Sequence, residues 1–186
     1  AQVLRLRDLL KFEFYFADSA AFRDNVTREM SWVPGWEDKI AQGPEAIREL
    51  LASKQPLLGS AMLRPFFEAY EIVADVLRDA SAEISEPDLT KLALGVGRQH
   101  VAQGKVRTAE SASALLFSTA RQVVADQDLL RRAPDLSERR AAFLAEIRGV
   151  LRAHDQPEVM PVVFAARGEG IAIGGVAARI EHARVA

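Results

Sequence analysis

The stretch "LRPFFEAYEIVADVL", residues 63–77, decides the fold class. Together with the residues just before it, Leu58, Met62, Pro65, Phe66, Ala69, Ile72, Val73, Val76 and Leu77 recur at intervals of three and four. That period belongs to an α-helix; a strand would alternate every second residue. A helix this long and apolar must be covered by neighbours, so it reads as the central helix of an all-α domain, with Phe66 among its core rings. Pro65 should kink it or begin its second half.

The flanks repeat the same signal. Ser85, Glu86, Pro87 and Asp88 form a helix entry, and Leu89, Leu92, Ala93, Val96, His100 and Val101 share the buried face of that helix, with Gly104 as its C-cap. Thr108 is the next N-cap, with Glu110 in the first turn and Ala112, Leu115, Leu116, Thr119 and Val123 repeating behind it. Asp135 and Glu138 match a D-x-x-E capping box ahead of a helix with Leu136, Phe143, Leu144, Ile147, Val150 and Leu151 inward.

Towards the N-terminus, Pro44 suits the first turn of a helix carrying Ile47, Leu50 and Leu51. "SWVPGWEDKIAQGP" reads as a loop with a Pro-Gly turn, pinned to the core by Trp32 and Trp36. Asp18 and Ser19 cap a helix over 20–30 whose stripe is Phe22, Val26 and Met30. Val3, Leu6, Leu9 and Leu10 are helical with no cap ahead of them, so the chain is expected to start inside a helix and to be a piece of something larger. "KFEFYF" alternates as a strand would, yet it directly continues that helical pattern and is read as helix. The expectation is an irregular bundle of six to seven helices over residues 1–153, followed by a glycine-rich tail, 154–186. That tail reads either as two short extended segments around Arg167 to Gly170 or as a poorly ordered end.

Composition narrows the function. A chain of 186 residues, 49% hydrophobic and 27% charged with a formal net charge of -2, is a globular protein that does not advertise nucleic acid. The absence of cysteine excludes disulfides, a thiol nucleophile and thiolate zinc. No uncharged run approaches the roughly 20 apolar residues of a membrane-spanning helix.

Catalytic motifs are missing: there is no phosphate-binding loop, nucleophile elbow or H-E-x-x-H. "GVGRQ", with Gly95 and Gly97, lies inside a helical pattern and reads as close helix packing. Glu68 with Glu71, and Asp75 with Asp79, sit about one turn apart and read as a solvated face. Arg98, Lys105 and Arg107 beside the helix start at Thr108 form a candidate anion contact, since free N–H groups and converging cations collect anions; a basic surface turn is the plainer reading. "LLRRAPDLSERRAAF" reads as solvent-facing, with anionic lipid as the alternative. Phe12, Phe14, Phe16, Trp32 and Trp36 supply more aromatic surface than the early helices of an isolated domain need, and form a candidate docking face. No metal site is expected.

Read together, "VLRLRDLLKFEFYFADSAAFRDNVTREMSW", "LRPFFEAYEIVADVL" and "GVGRQHVAQGKVRTAESASALLFSTARQVVADQDLL" resemble one family over Ala1 to Arg132. It is the region C-terminal to the catalytic domain in membrane-bound bacterial glycerol-3-phosphate 1-O-acyltransferases, particularly actinobacterial ones. The resemblance implies a parent enzyme that moves an acyl group from acyl-CoA or acyl carrier protein to the sn-1 hydroxyl of glycerol 3-phosphate, peripherally at the cytoplasmic side of the cell membrane, without a cofactor. The family's site is H-x-x-x-x-D, a histidine base oriented by an aspartate. Here His100 is followed at the fifth position by Lys105 and His154 by Val159, while His182 lies too near the end. An ammonium cannot accept the imidazole N–H, so no catalytic residue is expected in this chain. Its expected partners are the upstream acyltransferase catalytic domain and an anionic membrane surface, and its role is structural; the alternative is a free-standing helical interaction module.

Overall fold

The computed structural model describes residues 2–53, 57–80 and 83–155. They fall into two compact units, one ending at Trp32 and the other beginning at Val33. Among them the fold is all-α: eight α-helices, one 3-10 turn and no strand. The glycine-rich tail expected after Pro157 lies outside the described residues.

The first unit contains α1 (Gln2–Leu10) and α2 (Ser19–Ser31). Leu9, Leu10, Phe22 and Met30 are its buried apolar residues. Asp18 caps α2, its Oδ1 accepting from the N–H groups of Ala20 and Ala21, each at 2.9 Å. Contrary to expectation, "KFEFYF" is not helical. It forms a turn and then irregular backbone, and Arg7 fastens it by donating from Nε (3.2 Å) and Nη2 (2.8 Å) to the Ala17 carbonyl. The same guanidinium lies over the Phe22 ring at 5.8 Å, and Phe16 meets Phe22 edge to face at 5.4 Å. Neither the helical continuation nor the strand-like alternation describes this stretch, because a short aromatic run gains more from packing its rings than from prolonging a helix.

The second unit contains α3 (Trp36–Gln42), α4 (Pro44–Ser53), α5 (Leu57–Asp79), α6 (Glu86–Ala102), a 3-10 turn (Ala109–Ala112), α7 (Ala114–Asp126) and α8 (Leu136–Asp155). α3 occupies part of the stretch expected to be a loop. Gly35, at φ 77, turns the chain into it, a conformation that costs glycine little. Its tryptophans do not pin the core as expected: Trp36 is half-buried, and Trp32, in the first unit, is 71% exposed.

α5 is the central helix, packed by α6, α7, α8 and the 3-10 turn, and it continues through Pro65. Phe67, Tyr70, Ile72, Val73, Ala74 and Leu77 are completely buried, whereas Met62 is exposed and Phe66 half-buried. Among the described residues burial starts at Phe67 rather than at Phe66 or earlier in the expected stripe, and it covers more than one face, as fits a helix with neighbours on several sides.

α6 is entered through Ser85, whose Oγ accepts from the Asp88 N–H at 3.2 Å. It buries Leu89, Ala93 and Gly97, while Leu92 and Val101, expected inside, are exposed. A Cβ on Gly97 would meet Ala112 Cβ and Phe117 Cζ, each at 3.0 Å, so this glycine permits the close approach of helices that the sequence suggested. The single helix expected from Thr108 is instead the 3-10 turn and α7, separated at Ser113, whose Oγ caps α7 through the Leu116 N–H at 3.4 Å. That break rotates the register, burying Phe117, Ala120, Val123 and Val124 and leaving Leu115 exposed. α8 buries Leu136, Phe143, Leu144, Ile147 and Leu151.

Candidate functional site

The turn after α6 holds the cations singled out from the sequence, and its conformation comes from one glycine. Gly104, at φ 65, reverses the chain, letting the Lys105 N–H return to the His100 carbonyl at 2.9 Å and the Gly104 N–H to Val101 at 3.1 Å. This is the left-handed closure that helix ends favour. Val106 then points into the core, and Arg107 and Thr108 lead into the 3-10 turn.

The free N–H groups at this start do not face solvent. They face Glu68 of α5, a carboxylate 2% exposed. Glu68 Oε1 accepts from the Arg107 N–H at 3.0 Å and from Arg64 Nε at 2.7 Å. Oε2 accepts from Ser111 Oγ at 2.6 Å, with Thr108 Oγ1 at 3.4 Å and the Thr108 N–H at 3.5 Å as longer contacts. The two hydroxyls also bond each other at 2.6 Å. Arg64 Nη1 and Arg107 Nη2 converge on Asp155 Oδ1 of α8, at 2.7 and 2.5 Å. An internal carboxylate thus occupies the place an external anion would take.

Burial alone would raise the Glu68 carboxyl, but the donors from Ser111, the Arg107 backbone and Arg64 outweigh it and hold the group below the ordinary carboxylate range. A carboxylate so stabilised and so fully bonded is a weak base. What it does is tie α5, the turn before α7 and, through Arg64, the end of α8 to one point. The sequence reading of Glu68 as part of a solvated face is therefore corrected. Glu71 accepts from Arg148 Nε at 2.8 Å, Asp75 pairs with Arg148 at 3.0 Å and Arg78 at 2.9 Å, and Asp79 pairs with Arg78 at 2.8 Å. The overlooked signal was Arg64, one turn before a glutamate in an otherwise apolar stretch.

The predicted cations part company. Arg107 is committed to Asp155, whereas Arg98 and Lys105 are exposed. His100 is half-buried at the end of its stripe and lines a surface groove. In the arginine-rich run, Arg131 and Arg132 are exposed as expected or nearly so, but Arg140 is buried and donates to the carbonyls of Leu129 (2.9 Å), Leu77 (3.1 Å) and Ala80 (2.8 Å). Of the aromatic candidates, Phe12, Phe14, Phe16 and Trp32 belong to the first unit and Trp36 to the second. Phe12 is 38% exposed, and Tyr15, which the sequence reading passed over, is 85% exposed. The described residues contain no group of three side chains that could hold a metal ion, and no helix long and apolar enough to cross a membrane.

The fold is thus an all-α region whose helices are tied together by a saturated internal carboxylate. The family model of the glycerol-3-phosphate acyltransferase C-terminal region matches residues 1–133, and the chain belongs to that family. It is also similar to the putative acyltransferase plsB1 of Mycobacterium bovis, at 36% identity over 155 residues, 81% of this chain and 25% of the relative. The same figures hold for the proteins of that name from two strains of Mycobacterium tuberculosis. The chain spans about a quarter of the length of these relatives. No solved structure matches it.

Proposed function

We propose that this chain is the accessory helical part of a glycerol-3-phosphate O-acyltransferase, working beside the catalytic part without contributing a reacting group. The carrying observation is the family match over residues 1–133 together with similarity to a quarter of a putative acyltransferase. The parent reaction moves an acyl group from acyl-CoA or acyl carrier protein to the sn-1 hydroxyl of glycerol 3-phosphate for phospholipid synthesis. The parent works peripherally on the cytoplasmic side of the cell membrane. Two features support a structural role: none of the three histidines has an aspartate at the fifth position, and the one carboxylate buried among the described residues is spent on tethering. The exposed rings of Phe12, Tyr15 and Trp32 support docking of the first unit on the catalytic part, with Phe14 and Phe16 of that unit and, separately, Trp36 of the second unit as further contacts.

The test is an acyltransferase assay with labelled glycerol 3-phosphate and palmitoyl-CoA. It compares this chain, a full-length relative, and that relative lacking the matching segment. Turnover in the full-length protein, its loss on deletion and none in this chain are expected. Turnover by this chain alone would overturn the reading, as would a deletion that leaves turnover unchanged.

A further inference from the structure

The second unit carries a surface groove of about 490 Å³ between the C-terminal parts of α5 and α6. Its apolar lining comes from Val76, Leu92 and Val96, and Leu92 is 51% exposed. Around it stand Gln99, His100 and Lys105, brought together because the left-handed turn at Gly104 folds Lys105 back on the end of α6. Among the described residues, none of these three side chains has a hydrogen-bond or ion-pair partner.

Asp75 and Asp79 also line the groove, but both are already neutralised. Asp79 is bound by Arg78 at 2.8 and 3.2 Å, and Asp75 by Arg78 and Arg148. Among the described residues Arg148 Nη1 remains without a partner, its Nε and Nη2 being held by Glu71 and Asp75. Of the uncommitted groups, the Lys105 ammonium and Arg148 Nη1 can only donate, while the His100 imidazole and the Gln99 amide can donate as well as accept. An unpaired ammonium and a spare guanidinium N–H, with an imidazole and an amide able to donate beside the exposed Leu92, in a volume typical of small-ligand sites, fit an occupant that brings both an anionic acceptor and a small apolar body.

We propose that this groove binds a small organic anion, a carboxylate or phosphate monoester on a short apolar body. Its charged group lies between Lys105 and His100, and its body lies on Leu92 and Val96. The site is separate from the Glu68 network and does not depend on the acyltransferase reading, since binding is measured on this chain without any assay of turnover.

The experiment titrates the 186-residue chain with sodium hexanoate, hexyl phosphate and inorganic phosphate, following backbone amide and His100 ring resonances by NMR. Saturable shifts centred on residues 92–105 are expected with at least one hexyl compound. Response to hexanoate alone would specify a carboxylate ligand, response to hexyl phosphate alone a phosphorylated one, and both support the proposal. Lys105→Ala should weaken binding by about tenfold with the thermal transition unchanged. Leu92→Ser should weaken the hexyl compounds but leave inorganic phosphate as it was. Shifts that grow linearly and scatter over every exposed arginine and lysine would overturn the proposal. So would a Lys105→Ala protein that binds like the parent.

Discussion

The hydroxyl of Ser111 donates to Oε2 of Glu68 at 2.6 Å, joining positions 43 residues apart through a buried contact. A carboxylate 2% exposed costs stability unless every lone pair is met, and here the backbone of Arg107 and the guanidinium of Arg64 complete the set. The contact is therefore a tertiary cap: α5 supplies the acceptor that the turn before α7 lacks in its own sequence.

The folded-state value of Glu68 lies below its ordinary 4.5. Its contribution is thus fully present above about pH 4.5 and fades as pH falls through the folded value. Glu68→Gln removes the charge at every pH. At pH 7 it should cost about 3 kcal/mol in urea unfolding, and the gap to the parent protein should narrow at pH 3. Other carboxylates held low, such as Asp18 and Asp79, titrate alike in both proteins and drop out of the difference. A gap that stays constant between pH 7 and pH 3 would show that Glu68 is not the titrating tether.

Two glycines one residue pair apart on α6 should respond oppositely to alanine. A Cβ on Gly95 meets nothing within 4 Å, so Gly95→Ala should add about 0.5 to 1 kcal/mol by restricting the unfolded chain and favouring helix. At Gly97 the same gain is opposed by contacts of 3.0 Å with Ala112 Cβ and the buried Phe117 ring. Overpacking there should leave Gly97→Ala about 1 to 2 kcal/mol less stable. Thermal melts of the two variants decide the matter. A stabilised Gly97→Ala would mean that the 3-10 turn can back away.

How much of this was legible depended on the distance over which each feature is determined. The caps at Asp18 and Ser85 lie within three residues of the N–H groups they serve, so local sequence shows them. The α5 and α8 stripes are periodic and were readable for the same reason. The interruption at Ser113 was not, because 108–126 contains one apolar period and the break is made by Glu68 drawing Thr108 and Ser111 towards α5. Glu68 itself looked like surface because its partners Arg107, Thr108 and Ser111 lie 39 to 43 positions away. The same holds for Arg140, whose carbonyl acceptor at Leu77 is 63 positions distant.

Arg140 closes the C-terminal end of α5 and the segment after α7 with donors whose directions are fixed by a planar guanidinium. Lysine has the charge but not the fork. Arg140→Lys should therefore leave buried carbonyls unmet and cost about 2 to 4 kcal/mol. Arg132→Ala, at an exposed position of the same run, should stay within about 0.5 kcal/mol of the parent. Chemical denaturation of both is the measurement. Equal stability of Arg140→Lys and the parent would show that charge alone holds the two ends.

The central helix offers a sharper test, because adjacent phenylalanines differ in burial. Phe67 is completely buried and meets Tyr70 edge to face, with centroids 6.1 Å apart and planes at 80°. Phe66, the ring that periodicity placed in the core, is only half-buried. Truncating a fully enclosed ring removes its transfer energy and leaves a cavity, so Phe67→Ala should cost about 3 to 5 kcal/mol. Phe66→Ala opens towards solvent, can relax, and should cost about half as much. Guanidinium chloride unfolding of the two variants separates them, provided both retain the slope of the parent transition. If Phe66→Ala proves as costly as Phe67→Ala, the half-buried ring is carrying core packing, and the stripe read from the sequence marks the interior better than burial does.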